Sequence, residues 1–194
     1  MRTFLTAAAL AAAGLTASLA HAEMATYAID PTHTFATFEI DHMGASTNRV
    51  RFDKKSGTVQ FDKAAKTGKV EITLDMDSLN AGTPAFEKHL KSADIFNVAQ
   101  YPTAKFVSDK FIYDGDKLKE VTGQLTLLNQ THPITIKANK FTCYESPMLQ
   151  KREVCGGDFE ATIDRSQWGV NYGLNYGFPK QVRLVLQIEA VKQQ

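Results

Sequence analysis

Residues 70–76 read Val-Glu-Ile-Thr-Leu-Asp-Met, so that every second side chain is apolar. This alternation is typical of a β-strand that buries one face and exposes the other to water. The same pattern recurs at residues 121–127 and again at residues 182–190, where Val185 interrupts it. Because strands with one wet face are characteristic of antiparallel sheets, the sequence predicts an all-β domain.

Further segments combine β-forming residues with turn residues at their ends. Tight-turn chemistry is provided by Asp114-Gly115 and Thr67-Gly68, and a reversal is expected at residues 129–133, ending at a proline that begins the next strand. About eight such strands must close on themselves, and an up-and-down antiparallel β-barrel leaves no exposed edge. The additional strand candidates are residues 35–42, 57–62, 104–113, 134–142 and 159–164.

One segment departs from the strand pattern. Thr83 and Pro84 provide an N-cap and a first helical position, and Phe86, Leu90 and Ala93 follow at helical spacing. The sequence therefore predicts one short amphipathic helix, whose apolar side chains could cap an opening of the barrel.

The chain is rich in aromatic residues, with twelve Phe, six Tyr and one Trp. Barrels of about eight strands are wide enough to enclose one small ligand. The aromatic content is consistent with a ligand cavity, and it is equally consistent with an ordinary solid core.

The first 22 residues have the features of a secretory signal peptide. Arg2 supplies a positive start, residues 4–13 form a short apolar run, and Ala20-His21-Ala22 is a small-x-small cleavage site. The sequence therefore predicts a single mature domain over residues 23–194, exported to the periplasm. No later stretch reaches the roughly 18 apolar residues of a membrane-spanning helix, so no transmembrane segment is expected.

The charge of the chain argues against polyanionic partners. Lys and Arg total 22 against 21 Asp and Glu, a formal net charge of +1, and removal of Arg2 with the leader brings the charge to zero. Without a basic surface, neither nucleic acid nor an anionic membrane surface is an expected partner.

The two cysteines, Cys143 and Cys155, are separated by eleven residues. In an oxidising compartment they can join the two arms of a hairpin as a structural disulfide. A metal pair or a redox couple is the alternative, but there is no CxxC spacing and no neighbouring histidine.

Histidines are the candidate reactive groups. His33 and His42 are nine positions apart, and an odd separation places them on opposite faces of one strand, so that they would not share a metal without a bulge. His42 has the parity of Phe38 and is expected to point inward, whereas His33 is expected to organise the turn before the strand. His89 is expected on the polar side of the helix or near its edge, and His132 in a turn.

Motifs for catalysis or metal binding are missing from the sequence. No HxH, HExxH, CxxC, GxSxG or GxGxxG pattern occurs. By elimination, the sequence favours a binding protein with no catalytic residues and no metal site.

The order of motifs along the chain resembles the YceI-like family of periplasmic proteins, also described as polyisoprenoid-binding. The likeness extends from Tyr27 to about Val191 and includes Asp-Pro-Thr-His at 30–33 and Asp-Arg-Ser-Gln-Trp-Gly at 164–169. The matching segments are residues 27–44, 57–62, 78–82, 89–96, 101–108, 123–127, 132–134 and 164–169.

The resemblance implies a lipocalin-like barrel with an elongated hydrophobic tunnel that takes a long isoprenoid chain, such as the tail of ubiquinone. It implies binding and transport without catalysis, with no required cofactor other than this lipid. The headgroup is expected at a mouth where His42, Asn175, Tyr172 or Tyr176 supplies a hydrogen bond or a stacking contact. The predicted tunnel lining comprises Phe38, Ile40, Leu74, Met76, Leu79, Phe86, Leu90, Phe96, Phe106, Leu125, Leu127, Ile136, Trp168 and Phe178.

Two alternatives from other classes remain open at this point. The first is a secreted enzyme or redox accessory acting on a small hydrophobic substrate, which would need His33 or His42 beside an acid in the pocket. The second is an interaction protein whose barrel is a solid scaffold. The sequence leaves the oligomeric state open, a homodimer included.

Overall fold

The computed structural model describes residues 24–194. The signal peptide predicted for residues 1–22 lies outside the described residues and stays a prediction. So does the boundary of the mature domain at residue 23.

Residues 24–194 form eleven β-strands and one α-helix. All of the paired strands run antiparallel. The elements are β1 (Ala25–Ile29), β2 (Phe35–His42), β3 (Ser46–Phe52), β4 (Lys55–Asp62), β5 (Thr67–Asp75), β6 (Leu79–Asn80), α1 (Pro84–Lys91), β7 (Thr103–Asp114), β8 (Lys117–Leu127), β9 (Gln130–Glu145), β10 (Glu153–Asp164) and β11 (Gln181–Lys192).

Eight of these strands form a closed ring in the order β1-β4-β5-β7-β8-β9-β10-β11, and the pairing of β1 with β11 closes it. The closure leaves no open edge between the first and last strands of the ring. The prediction of a closed antiparallel barrel of about eight strands with one short helix is therefore confirmed.

The long strand β11 is shared by two shorter strands. Its residues 190–192 pair with β1, while residues 183–187 pair with β2. From β2 the sheet continues through β3 to β6. The sheet therefore branches at β11, where β1 closes the ring and β2 continues the sheet outside it.

The two ends of the barrel differ in their connections. At one end, which we call the closed end, short connections join β4 to β5, β7 to β8 and β9 to β10. At the opposite end, the chain makes two long excursions, residues 76–102, which include α1, and residues 165–180. Because binding groups are usually carried on long connections, a site is expected at this second end.

Three strands were not predicted, namely β1, β3 and β6. In the strand β3, Arg49 and Arg51 alternate with the inward residues Val50 and Phe52, which are only 0% and 7% exposed. Its alternation is genuine, but the polar residues at its start conceal it. The strands β1 and β6 are five and two residues long, too short for periodicity to show.

The turn predictions need two corrections. The β8–β9 reversal occurs at Leu128 and Asn129, both in the left-handed region with φ of 49° and 57°, so His132 and Pro133 already lie within β9. Pro133 is tolerated there because this part of β9 pairs with β8 but not with β10. Gly68 lies inside β5 and not in a turn. A Cβ atom on Gly68 would come within 2.8 Å of the Phe111 ring.

The helix α1 begins as predicted, with Thr83 at the N-cap and Pro84 in the first turn. It ends at Lys91, so Ala93 lies beyond it. The predicted strand at residues 70–76 likewise ends at Asp75. Met76 begins a 3₁₀ helix, in which the Asp75 carboxylate accepts a hydrogen bond from the Asp77 N–H.

The disulfide between Cys143 and Cys155 is present, as predicted. The two residues are direct partners in the β9–β10 register, with Cα atoms 4.0 Å apart. Cys155 is buried on the inner wall near the closed end. The disulfide therefore links the neighbouring strands β9 and β10 near the connection between them.

Ion pairs cross the outer surface of the barrel. Glu39 accepts hydrogen bonds from Arg49 and Arg183, and Arg183 also donates to Glu160, which lies near Lys137. These charges join β3, β2, β11, β10 and β9 in sequence. Because they are exposed, each pair contributes little to stability, and their main effect is to keep the outer face wet.

Candidate functional site

The interior of the barrel contains an elongated cavity of about 480 Å³. Its walls are the inward faces of the ring strands, and α1 contributes Phe86, His89 and Leu90. Small-molecule sites in proteins fall in this range of volume and are mostly apolar. The cavity is therefore large enough for a ligand and has the corresponding chemistry.

The exposure of the inward-facing side chains shows that the barrel is hollow. Leu125, Leu127, Leu184 and Leu186 face inward and border the cavity, yet each keeps a partly exposed surface. In a filled barrel, residues at the middle of such strands would be fully buried. The alternative of a solid scaffold is therefore not what the interior shows.

An aromatic cluster fills the closed end of the cavity. The Phe61 ring stacks on Phe111 at 5.9 Å between centroids and meets the edge of Phe141 at 5.8 Å. Tyr27 is 2% exposed, and its hydroxyl donates to the Glu153 carboxylate at 2.5 Å. Burial and the adjacent Glu153 raise the pKa of Tyr27, so its hydroxyl stays protonated.

The opposite end of the cavity reaches solvent. Among the described residues that border the cavity, the exposed ones are His42, Tyr172 and Tyr176, and all three lie at this end. Tyr172 and Tyr176 are 41% and 69% exposed, and both belong to the long 165–180 connection. This end is therefore the mouth of the cavity.

Two histidines at the mouth make edge contacts with aromatic rings of the same connection. His42 lies 5.3 Å from Phe178 between ring centroids, and His89 lies 4.8 Å from Tyr172. His89, expected on the polar side of α1 or near its edge, thus borders the cavity. The contacts tie β2 and α1 to the 165–180 connection across the opening.

The structure brings most of the predicted lining residues together around this one cavity. The residues found there are Phe38, Ile40, His42, Leu74, Met76, Phe86, Leu90, Phe96, Phe106, Leu125, Leu127, Ile136, Tyr172, Tyr176 and Phe178. That they contact a ligand remains a prediction. Asn175, predicted at the mouth, is exposed and does not border the cavity.

Leu79 and Trp168 do not border the cavity. Leu79 is 3% exposed and packs among the side chains beneath α1, opposite Phe52 in the β3–β6 pair. Trp168 is 1% exposed, and its indole N–H donates to the Leu125 carbonyl at 3.0 Å. That hydrogen bond and the edge contact with His132 place Trp168 within the wall, where it fills the gap beside the unpaired part of β9.

A cavity residue that the sequence did not reveal is Arg165. It borders the cavity although it is only 6% exposed, and burial lowers the pKa of its guanidinium. Its Nε donates to the Pro179 carbonyl at 2.9 Å, and Nη1 donates to the carbonyls of Val170 and Tyr172, both at 2.8 Å. An arginine directly after a strand usually makes a surface ion pair, so no pattern in the sequence signalled its burial.

The enzymatic alternative needs a histidine and an acid together in the pocket, and the structure separates them. His33 contacts an acid, Asp30, at 2.7 Å, but this pair is exposed and does not border the cavity. His42 borders the cavity but has no hydrogen bond to a carboxylate within residues 24–194. No group of three potential metal ligands occurs in the described part of the chain.

The fold and the cavity define a small closed antiparallel barrel with an apolar interior that opens at one end, the architecture by which lipocalins hold one ligand. The chain belongs to the YceI-like domain family, whose model matches residues 27–190. The resemblance noted in the sequence is thereby confirmed.

Known relatives agree with this assignment. Protein YceI of Escherichia coli O157:H7 is 34% identical over 184 residues, covering 93% of this chain and 94% of that relative. The crystal structure of Burkholderia cenocepacia BcnA matches with a TM-score of 0.69 at 22% identity, over 83% of this chain and 98% of BcnA. A polyisoprenoid binding domain from Saccharophagus degradans, implicated in plant cell wall breakdown, has a TM-score of 0.60 at 13% identity, over 88% and 100% of the two chains. The two solved structures show the shared fold.

Within residues 24–194, no helix combines the length and the apolar content needed to cross a bilayer.

Proposed function

We propose that this protein binds an isoprenoid lipid such as ubiquinone inside the barrel and carries it through the periplasm. The observation that supports the proposal most directly is the cavity of about 480 Å³ enclosed by inward-facing apolar side chains. An isoprenoid tail presents only apolar surface, and each CH₂ group that leaves water contributes about 0.8 kcal/mol. Such a ligand can bind tightly with very few polar partners.

The shape of the interior favours a long chain over a compact molecule. The wall strand β11 has twelve residues, which corresponds to about 40 Å along the strand and about 30 Å of barrel height at the usual tilt. The cavity runs from Tyr27 near the closed end to Tyr176 at the mouth. A linear tail entering at the mouth can occupy this length.

The fold shared with a solved structure gives a second line of support. The Saccharophagus degradans domain of the same fold is described as polyisoprenoid binding. Our proposal transfers that ligand class to this chain because the chain's own cavity has matching chemistry. Binding without catalysis accounts for the residues that line the cavity, which are mostly apolar and include no histidine–acid pair among the described residues.

Extraction of the purified protein tests the proposal. The full-length chain should be expressed in a quinone-producing bacterium, purified from the periplasm without detergent and extracted with organic solvent for mass spectrometry. We expect a prenyl lipid in an amount approaching one per protein molecule, and an amino terminus at Glu23. Recovery of no prenyl lipid, or only of unbranched fatty acids, would contradict the proposed ligand.

A further inference from the structure

We infer that Arg165 recognises the polar end of the ligand, and that this end carries an oxygen atom that accepts a hydrogen bond. The inference rests on the proposed function and adds to it the chemistry of the headgroup. It also assigns an orientation, with the polar end under the 165–180 connection at the mouth and the tail directed toward the closed end.

The hydrogen bonds of Arg165 leave one of its nitrogens free. A guanidinium has five N–H groups, one on Nε and two on each Nη atom. The Nε–H donates to Pro179, and Nη1 donates to Val170 and Tyr172, which uses both of its N–H groups. Nη2 is buried and has no acceptor within residues 24–194.

A buried donor without a partner is rare in proteins, and a charged one is especially unfavourable. Arg165 is 94% buried, given its relative exposure of 6%, and the residue borders the cavity. Nη2 itself is covered by neighbouring protein atoms, so an oxygen atom of a molecule in the cavity reaches its two N–H groups through a small shift of the adjacent side chains. Such charge-assisted hydrogen bonds are stronger than neutral ones.

Within residues 24–194, no carboxylate contacts the Arg165 guanidinium, although the adjacent Asp164 offsets part of the decrease in pKa that burial causes. The adjacent Asp164 carboxylate accepts hydrogen bonds from the backbone N–H and the hydroxyl of Ser166, and no ion pair of Arg165 occurs among the described residues. The other permanently charged residue that borders the cavity is Lys105, whose ammonium pairs with Glu71 at 2.8 Å. Arg165 is thus the one permanently charged residue at the cavity that has no ion pair within residues 24–194.

The location of Arg165 fits a headgroup site. It opens the 165–180 connection, which also places Val170, Tyr172, Tyr176 and Phe178 around the mouth. Three of its donors hold the carbonyls of this connection, so the guanidinium is fixed in position before any ligand arrives. A rigid donor loses little entropy when it binds, which favours selective recognition.

The test compares three probes that share one fifteen-carbon prenyl chain. The first is a prenyl benzoquinone, whose oxygens are neutral carbonyls, the second is the prenyl carboxylic acid, and the third is the hydrocarbon without oxygen. Their affinities for the delipidated full-length protein are measured by displacement of a fluorescent apolar dye. We expect at least one oxygen-bearing probe to bind about 10- to 100-fold more tightly than the hydrocarbon, the range of a hydrogen bond to a charged group. If the quinone gains more affinity over the hydrocarbon than the acid does, the preferred headgroup is neutral. If the acid gains more, the preferred headgroup is anionic.

Replacement of Arg165 separates recognition from structural support. We expect Arg165→Met to remove the preference for the oxygen-bearing probe while the affinity for the hydrocarbon changes by less than about 3-fold. A merely structural arginine would alter all three affinities alike, which would overturn the inference. The control Arg49→Met removes an exposed arginine of the outer wall and should leave the three affinities unchanged.

A measurement on the unaltered protein keeps the inference testable if Arg165→Met fails to fold. In ¹⁵N NMR spectra of arginine-labelled protein, the oxygen-bearing probe should shift the guanidinium signals of Arg165 and the hydrocarbon should not. Equal affinities for all three probes, or equal shifts, would refute the role of Arg165 but leave the proposed lipid binding intact. Failure of every probe to bind would instead count against the proposed function.

Discussion

The Phe106 ring lies over Gly123, its diagonal neighbour on the next strand of the inner wall. Phe106 pairs with Leu125 in the β7–β8 register, and a Cβ atom on Gly123 would come within 2.8 Å of the Phe106 ring and 2.3 Å of the Val107 carbonyl oxygen. The missing side chain at Gly123 therefore allows Phe106 to lie flat and to leave space in the cavity.

We predict that Gly123→Ala lowers the free energy of unfolding by about 1–3 kcal/mol, because the added methyl group forces the ring or the backbone to move. Chemical denaturation of the delipidated protein measures the change. The exposed neighbour Gln124→Ala should change the free energy by less than about 0.5 kcal/mol. Equal stabilities for both variants would show that the contact is not constrained.

Placing a charge on the inner wall should abolish lipid retention. Leu127→Glu puts a carboxylate into the apolar cavity, and an unpaired buried charge is strongly unfavourable. We expect this variant to lose at least 90% of its co-purified lipid, as measured by mass spectrometry. Gln124→Glu, which faces outward on the same strand, should keep its lipid. Retention of lipid by a folded Leu127→Glu variant would show that the ligand lies elsewhere.

The disulfide should stabilise the barrel by constraining the unfolded chain. The bond closes a loop with a sequence separation of 12, for which the chain-entropy model gives about 3 kcal/mol. We therefore expect the double variant Cys143→Ala with Cys155→Ala to melt about 6–12 °C lower than the oxidised protein. Addition of a reductant should lower the melting temperature of the unaltered protein to a similar degree and leave that of the double variant unchanged.

The pair of Asp30 and His33 should give the protein a histidine with an elevated pKa. The hydrogen bond from His33 to Asp30 raises the pKa of His33 above its ordinary value of 6.5. Burial alone would raise the pKa of Asp30, but its hydrogen bonds with His33 and Thr32 lower it. The contribution of His33 to stability is thus complete below pH 6.5 and is lost as the pH rises through the pKa of the folded state.

A ¹H NMR titration of the imidazole signals measures this effect directly. In Asp30→Asn the pKa of His33 should return toward about 6.5. An unaltered pKa for His33 in this variant would contradict the assignment of the hydrogen bond.

The sequence was informative wherever periodicity carried the signal. Alternation at residues 70–76 and 121–127 correctly identified the inward residues, including Leu74 and Leu127, because side chains on a strand must point to opposite faces. It also placed Met76 at the cavity, although that residue begins a 3₁₀ helix. Met76 still points inward because it directly follows β5 and keeps the alternation of that strand.

What could not be predicted depends on contacts between segments that are distant in the sequence. Trp168 is apolar and follows a strand, but its burial in the wall instead of the cavity is set by the gap beside β9 and the carbonyl of Leu125. Arg165 has the charge of a surface residue, and only the folding back of residues 170–179 supplies its three carbonyl partners. No local pattern contains this information.

The mouth at one end of the barrel also has a kinetic meaning. Under the proposed function, and with the aromatic cluster around Phe61 filling the other end, a lipid enters and leaves by the same route in opposite directions. Microscopic reversibility then requires loading and unloading to share one transition state, so a change at Tyr172 or Tyr176 that lowers only the energy of this state speeds both steps equally. The direction of transfer is then set by the chemical potential of the lipid in the donor and in the acceptor, and not by a separate entrance and exit.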